Sequence, residues 1–178
     1  GAKVVINDLG GAMDGSGGSS EAAEAVVAEI KAMGGEAIAN GGSVSDRAGA
    51  QSMVDDAMNA WGRVDVLINN AGILRDKSFS KMTLDDFDMV VNVHLMGAAY
   101  CAHAVWPVMK AQNYGRILMT TSPTGLYGNF GQTNYGAAKL GQVGLMHSLK
   151  IEGAKNNIHT NTIAPVAATR MTEDLMPE

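Results

Sequence analysis

Tyr135 and Lys139 stand four residues apart in a stretch whose spacing predicts a helix from Asn134 to Lys155, so the two share one face. An unperturbed tyrosine has a pKa of about 10 and is a poor base at neutral pH. A nearby ammonium stabilises the phenolate, and Lys139, one turn along, can supply that charge. By itself the pair is a weak signal, because many helices carry a half-buried Tyr and a solvated Lys at this spacing. Its surroundings say more. Ser122 closes a predicted strand thirteen residues before Tyr135, and Pro123-Thr124-Gly125 turns the chain after it. The peptide Asn69-Asn70-Ala71-Gly72 follows an earlier strand. A hydroxyl, a phenol and an ammonium in this order suit proton transfer to and from a substrate oxygen.

Such a group needs rigid elements to position it. Short β-like runs cover Lys3–Asp8, Glu36–Ala39, Arg63–Ile68 and Arg116–Ser122, with a weaker one over His159–Ala164. Helical patterns lie between them. One spans Ser20–Met33, with Ser20 as N-cap and Gly34-Gly35 as the stop, and another spans Ala50–Trp61 and ends at Gly62. A long one begins at Thr83, where Thr83-Leu84-Asp85-Asp86 resembles a capping box. Strand and helix alternate throughout, which predicts a parallel sheet covered on both faces. Asp8, Asn69-Asn70, Ser122 and Pro165 all follow predicted strands, and that carboxyl edge is where open α/β sheets bind ligands.

A length of 178 residues, with 46% hydrophobic and 17% charged residues, suits one α/β domain with a real core. A net charge of −5 without a Lys/Arg cluster argues against a nucleic-acid partner. The single cysteine, Cys101, cannot form an internal disulfide and fits a reducing compartment; with no visible secretion signal, the expected location is cytoplasmic. The apolar stretch Met89–Met109 has the length of a membrane span, but Asn92, His94, His103 and Pro107 favour a buried helix instead. His103, His147 and His159 show no ligand spacing, so no metal site is expected.

The ordered set Asn69-Asn70-Ala71-Gly72, Ser122, Tyr135 and Lys139 resembles the short-chain dehydrogenase/reductase family. The resemblance implies a Rossmann-like, doubly wound α/β fold in which a hydride moves between a nicotinamide and a carbinol carbon. Tyr135 would be the general acid/base, Lys139 would lower its pKa and hold the nicotinamide ribose, and Ser122 would hydrogen-bond the substrate oxygen. Many relatives carry an Asn three residues before a Gly in the long fourth helix. Counting back from Gly97, that position is His94, with Asn92 two residues out of register. His94 is either a satisfied buried polar residue or a substitute proton relay.

At the cofactor end, Asp8 closes the first visible strand, where an acidic residue binds adenosine ribose hydroxyls and repels a 2′-phosphate, so NAD is expected over NADP. Ser43 and Val44 follow the next strand, beside the expected adenine. Asn70, Ala71, Gly72, Pro165 and Thr169 complete the cofactor set that the resemblance implies. Gly11-x-x-x-Gly15-x-Gly17 mimics the family's pyrophosphate loop, but Asp8 and Asp14 would oppose a phosphate there, and too little chain separates it from Asn69 for another strand–helix–strand unit. The glycines are expected in a surface loop instead. Residues 1–178 then form one partial domain, without the fold's first strand and its C-terminal end. That absence should leave two half-sheets with unpaired inner edges.

The peptides Val5–Gly11, Asn70–Asp76, Val93–Gly97, Leu126–Gln132 and Asn161–Pro165 are similar to the (3R)-hydroxyacyl-CoA dehydrogenase domain of multifunctional enzyme type 2 and its bacterial single-domain relatives. His at position 94 is typical of that branch. The implied reaction is oxidation of a (3R)-3-hydroxyacyl-CoA to the 3-oxoacyl-CoA with NAD. A 3-oxoacyl reductase or another alcohol dehydrogenase of the family is the alternative within that class. Val166 and Pro123 depart from the usual residues near the nicotinamide or substrate and bear on chain-length preference. A homodimer through residues 83–111 and 134–155 is the implied assembly, and a non-catalytic pairing surface is the alternative outside enzymology.

Overall fold

The computed structural model describes residues 1–166. Along the chain run β1 (Lys3–Asn7), α1 (Glu21–Ala32), β2 (Glu36–Asn40), α2 (Arg47–Trp61), β3 (Val66–Asn69) and α3 (Leu84–Val91). A π-helical turn, Asn92–Met96, leads into α4 (Gly97–Gln112). Then come β4 (Gly115–Thr120), α5 (Pro123–Tyr127), α6 (Thr133–Gly153) and β5 (Ile158–Ile163). All pairing is parallel, and it falls into two separate sheets, β1-β2 and β3-β4-β5. These are the two half-sheets expected from the sequence. No described strand pairs with the inner edge of β1 or of β3.

The five strand positions agree with the sequence pattern to within a few residues, and the departures have local causes. The third strand starts at Val66 rather than Arg63 because Gln112 brackets Val64 from the side, accepting from its N–H at 3.0 Å and donating to its carbonyl at 2.7 Å. Helix α2 starts at Arg47 because Asp46 caps it, accepting from Gly49 N–H, and Gly62 closes it in the left-handed region at φ 70°. Ser20 precedes α1 without a side-chain cap; Ser19 Oγ accepts from Glu21 N–H at 3.1 Å instead. Thr83 does cap α3, accepting from Asp86 N–H.

The core lies under the three-stranded half. Met109 of α4, Ile117 and Met119 of β4 and Ile158 of β5 are fully buried. Each such side chain contributes about 1.5–3 kcal/mol of hydrophobic stabilisation. Leu84–Gln112 forms one apolar helical run long enough to cross a membrane, yet Val90, His94, Ala98, Cys101, Val105 and Met109 along it are buried against the rest of the fold. It is a core helix. Burial also pushes the Cys101 thiol up to about 11, so it stays protonated and inert. Beside β1-β2 the packing is thinner: no residue of β1 is fully buried.

Candidate active site

Strand β4 delivers Ser122 to its carboxyl edge, and the turn expected after it is a short helix. Ser122 is its N-cap, accepting from Thr124 N–H at 3.2 Å, and Pro123 occupies the first turn where a missing N–H costs nothing. Gly125 lets this helix lie against α6, since a Cβ there would stand 2.8 Å from Leu140 N and 3.0 Å from Lys139. Helix α6 carries Tyr135 and Lys139 on the face turned to Ser122. Lys139 is buried, its Nζ lying 5.4 Å from the Tyr135 ring centroid and donating to Thr120 O. Thr121 Oγ1 donates to Lys139 O at 2.7 Å, tying α6 to the end of β4 a second time.

Burial sets the electrostatics. It pushes the Tyr135 phenol above its ordinary value; a hydrogen bond with Ser122 draws it back and the Asp76 carboxylate pushes it up. Burial likewise brings the Lys139 ammonium down to about 8. The sequence leads one to expect Lys139 to lower the Tyr135 pKa; in this structure desolvation holds the phenol above its ordinary value, and Ser122 is the group that draws it down.

His94 lies on the π-helical turn, 3% exposed. Its ring meets Tyr135 edge-on at 5.1 Å and 82°. Nε2 is 2.8 Å from Ile73 O and 3.0 Å from Ile73 N, while Nδ1 has no partner. Nε2 can donate to Ile73 O or accept from Ile73 N–H but not both, so either neutral tautomer leaves one N–H unpaired: that of Ile73 or that of Nδ1. Burial, then the Lys139 charge, lowers the His94 pKa to about 4, so the ring is neutral. Gly72 makes this contact possible, because a Cβ there would run into the imidazole.

Asp8, Ser43, Val44, Asn70, Ala71, Gly72 and His94 line one cleft of about 1570 Å³ between the two sheets. Ser122, Tyr135 and Lys139 stand outside its lining and join it through two contacts. One is the His94–Tyr135 ring edge; the other is Thr120, whose Oγ1 donates to Asn70 Oδ1 at 2.9 Å. Asp8 is exposed past β1 and accepts from Gly10 N–H at 2.6 Å. Pro165 is exposed just past β5, and Thr169 lies outside the described residues. For a dinucleotide, the residues fit at both nucleoside ends: a carboxylate and Ser43 at one, buried Lys139 and the Asn70 loop at the other. The Gly11–Gly17 loop does not fit a pyrophosphate, since Asp14 folds back onto Ser16 N and Oγ and Glu21 and Glu24 occupy the first turn of α1.

Four polar residues to which the sequence assigned no part in the site also build it. Asn134, fully buried, donates to Arg75 O and Asp86 O and accepts from Tyr135 N–H at 2.7 Å. Gln132 donates to Asp76 at 2.7 Å and accepts from Thr124 Oγ1 at 3.0 Å. Asp86 holds Arg75 and Lys77 at 3.2 and 2.9 Å; the Lys77 and Thr83 hydrogen bonds lead in lowering its pKa to about 2. Gln142 donates to His94 O at 2.8 Å, inside the π turn. Asn134, Gln132 and Gln142 lie one to three residues from Tyr135 or Lys139, and Asp86 closes the capping-box peptide Thr83–Asp86; nothing else in the sequence could have signalled them.

Comparison with known proteins agrees with this geometry. The family model described as short chain dehydrogenase matches residues 10–178. A short-chain type dehydrogenase/reductase of Mycobacterium tuberculosis is 54% identical over 177 residues, covering 99% of this chain and 62% of its own. Peroxisomal multifunctional enzyme type 2 of Mus musculus is 56% identical over 178 residues, 100% of this chain and 24% of its own. A crystal structure of a short chain dehydrogenase from Mycobacterium avium superposes with a TM-score of 0.87 at 41% identity, covering 100% of this chain and 63% of that one. The chain thus spans less than two thirds of the length of each of these relatives. It belongs to the short-chain dehydrogenase family.

Proposed function

We propose that the chain carries the proton-transfer centre of an NAD-linked dehydrogenase that oxidises (3R)-3-hydroxyacyl-CoA to 3-oxoacyl-CoA. The observation that carries this reading is the meeting of Ser122, Tyr135 and Lys139 at the carboxyl edge of β4. The bound nicotinamide supplies the hydride acceptor. Tyr135, as phenolate, takes the hydroxyl proton of the alcohol, and returns it when the reaction runs backwards. Ser122 donates its hydroxyl hydrogen to the same oxygen and fixes its position. The Lys139 ammonium offsets the desolvation of the phenolate. His94, neutral and pinned to Ile73, positions the Tyr135 ring and the Asn70–Gly72 loop rather than exchanging protons. Exposed Asp8 disfavours a 2′-phosphate and so favours NAD. The acyl-CoA preference rests on the peptides shared with the multifunctional enzyme branch and on the likeness to the mouse relative. Leu140 and Ile151, exposed and apolar on α6, support a homodimer through that helix.

Turnover of (3R)-3-hydroxyacyl-CoA and of 3-oxoacyl thioesters, with matched NAD(H) and NADP(H), tests the reading. The expected result is NAD-linked oxidation that Tyr135→Phe lowers by about 10²–10⁴-fold, while NADH binding followed by fluorescence persists. A strong preference for NADPH and reduction would replace it with the reductase reading.

A further inference from the structure

Ser122 has a single hydrogen to donate, so the direction in which its hydroxyl points decides what it can do for Tyr135. Its Oγ accepts from Thr124 N–H at 3.2 Å and is hydrogen-bonded to the Tyr135 phenol. With one lone pair held by that N–H, the hydroxyl hydrogen is left for the phenol oxygen and for a substrate oxygen beside it. Thr124 is held in turn by Gln132. Thr124 Oγ1 donates to Gln132 Oε1 at 3.0 Å, and Asn129 Nδ2 donates to the same oxygen at 3.1 Å. Gln132 Nε2 donates to Asp76 Oδ2 at 2.7 Å. An ionised carboxylate only accepts, so Asp76 fixes which end of the amide faces it and leaves Oε1 turned to Thr124. Neither cation beside Asp76 in the chain takes it away, because Arg75 and Lys77 both bind Asp86. Gln132 is 7% exposed and stands at the start of α6, where its carbonyl accepts from Gly136 N–H at 2.7 Å. Its side chain therefore joins three segments: the first turn of α5 behind Ser122, the helix of Tyr135, and the peptide after Asn70.

We propose that Gln132, oriented by Asp76, is a positioning residue for the Ser122 hydroxyl and acts on it through Thr124. Each donor in the chain has one acceptor to serve, and the order ends on a carboxylate that cannot reverse it. Without Gln132 the Thr124 hydroxyl loses its acceptor and the first turn of α5 is free to shift against α6, taking Ser122 with it. The hydrogen bond from Ser122 to the reacting oxygen strengthens as charge develops there, so a misplaced hydroxyl lowers kcat more than it raises KM. The effect on turnover rests on the dehydrogenase reading; the hydrogen-bond chain does not.

Amide hydrogen exchange and steady-state kinetics of the 178-residue chain test it together. In Gln132→Met, which keeps the side-chain length, exchange at the Thr124 amide should speed by about tenfold, with Ile117 and Met119 little changed. Asp76→Ala, a change at an exposed position, should do the same and serves if Gln132→Met does not fold. With (3R)-3-hydroxyacyl-CoA and NAD, Gln132→Met and Thr124→Val should each lower kcat by about tenfold or more while KM stays within about threefold. Because both act along one path, the double variant should be no slower than the slower single variant. Asp76→Asn, which retains an acceptor oxygen for Gln132, should keep kcat within about threefold of the parent. Unchanged Thr124 exchange in Gln132→Met and Asp76→Ala would overturn the inference, and so would losses in kcat that multiply in the double variant. A parent chain that turns over none of these substrates would sink the dehydrogenase reading, and Thr124 exchange would still decide this one.

Discussion

His94 shows how a side chain can be assigned by what its surroundings forbid. The ring is enclosed, one nitrogen is committed to Ile73 and the other has nothing to donate to, so a second proton has no acceptor waiting for it. Burial lowers its pKa from 6.5 to about 4. Between those values the unfolded chain holds the proton and the folded chain does not, so folding stability is full above pH 6.5 and drains away as pH falls towards 4. The shift corresponds to a loss of about 3 kcal/mol. Asn in this place does not titrate. Urea midpoints of the wild type should therefore fall over that window, while those of His94→Asn fall much less. Equal falls in both proteins would show that another group carries the acid sensitivity. Asp86 cannot mimic the effect, because its pKa near 2 places its own loss below pH 3.8.

At the scale of elements, the site is held by the seam between α6 and the peptide after β3. Asn134 is the centre of that seam, bonding Arg75 O, Asp86 O and the Tyr135 N–H from a fully buried position. Asn134→Ala leaves those groups without a partner and should cost about 1–3 kcal/mol in thermal or urea unfolding. If the proposed reaction holds, turnover should fall more than cofactor binding, because Tyr135 loses its anchor while Asp8 and Ser43, the residues proposed for the adenosine end, keep theirs. A variant as stable as the parent would mean that water takes over these bonds. The helix carrying Tyr135 and Lys139 was legible because a 3.6-residue period announces itself locally, and so was the strand ending near Ser122. The seam was not. Asn134, Gln132, Asp86 and Gln142 are ordinary polar letters whose partners lie up to 59 residues away, and only folding brings those partners together. The π turn was also invisible, since Asn92–Met96 reads as plain helix until Gln142 takes the His94 carbonyl.

For the whole molecule, strand order was legible through the family resemblance. It implies that the strand ending at Asp8 flanks the centre of a doubly wound order, and the observed split into β1-β2 and β3-β4-β5 agrees with that order. What the letters did not reveal is how unequally the halves are supported. Val54, Ala102, Val105, Met109, Ile117, Met119 and Ile158 belong to one buried cluster around β4. The β1-β2 pair leans on Ala23 and Val27 of α1 and on Ala37, while Val4, Val5 and Ile6 are only half-buried at the cleft. Two strands without a further partner are marginal by themselves. Native-state hydrogen exchange of the chain alone should therefore find β4 and β5 amides opening only with global unfolding. The Val4, Ile6 and Asp8 amides, bonded to β2, should open at least about tenfold more readily. As urea is raised, their protection should vanish before that of Ile117 and Met119. Equal protection in both sheets would mean that α2, which packs against β1, β2 and α4, couples the halves into one cooperative unit. The open cleft would then cost the fold little.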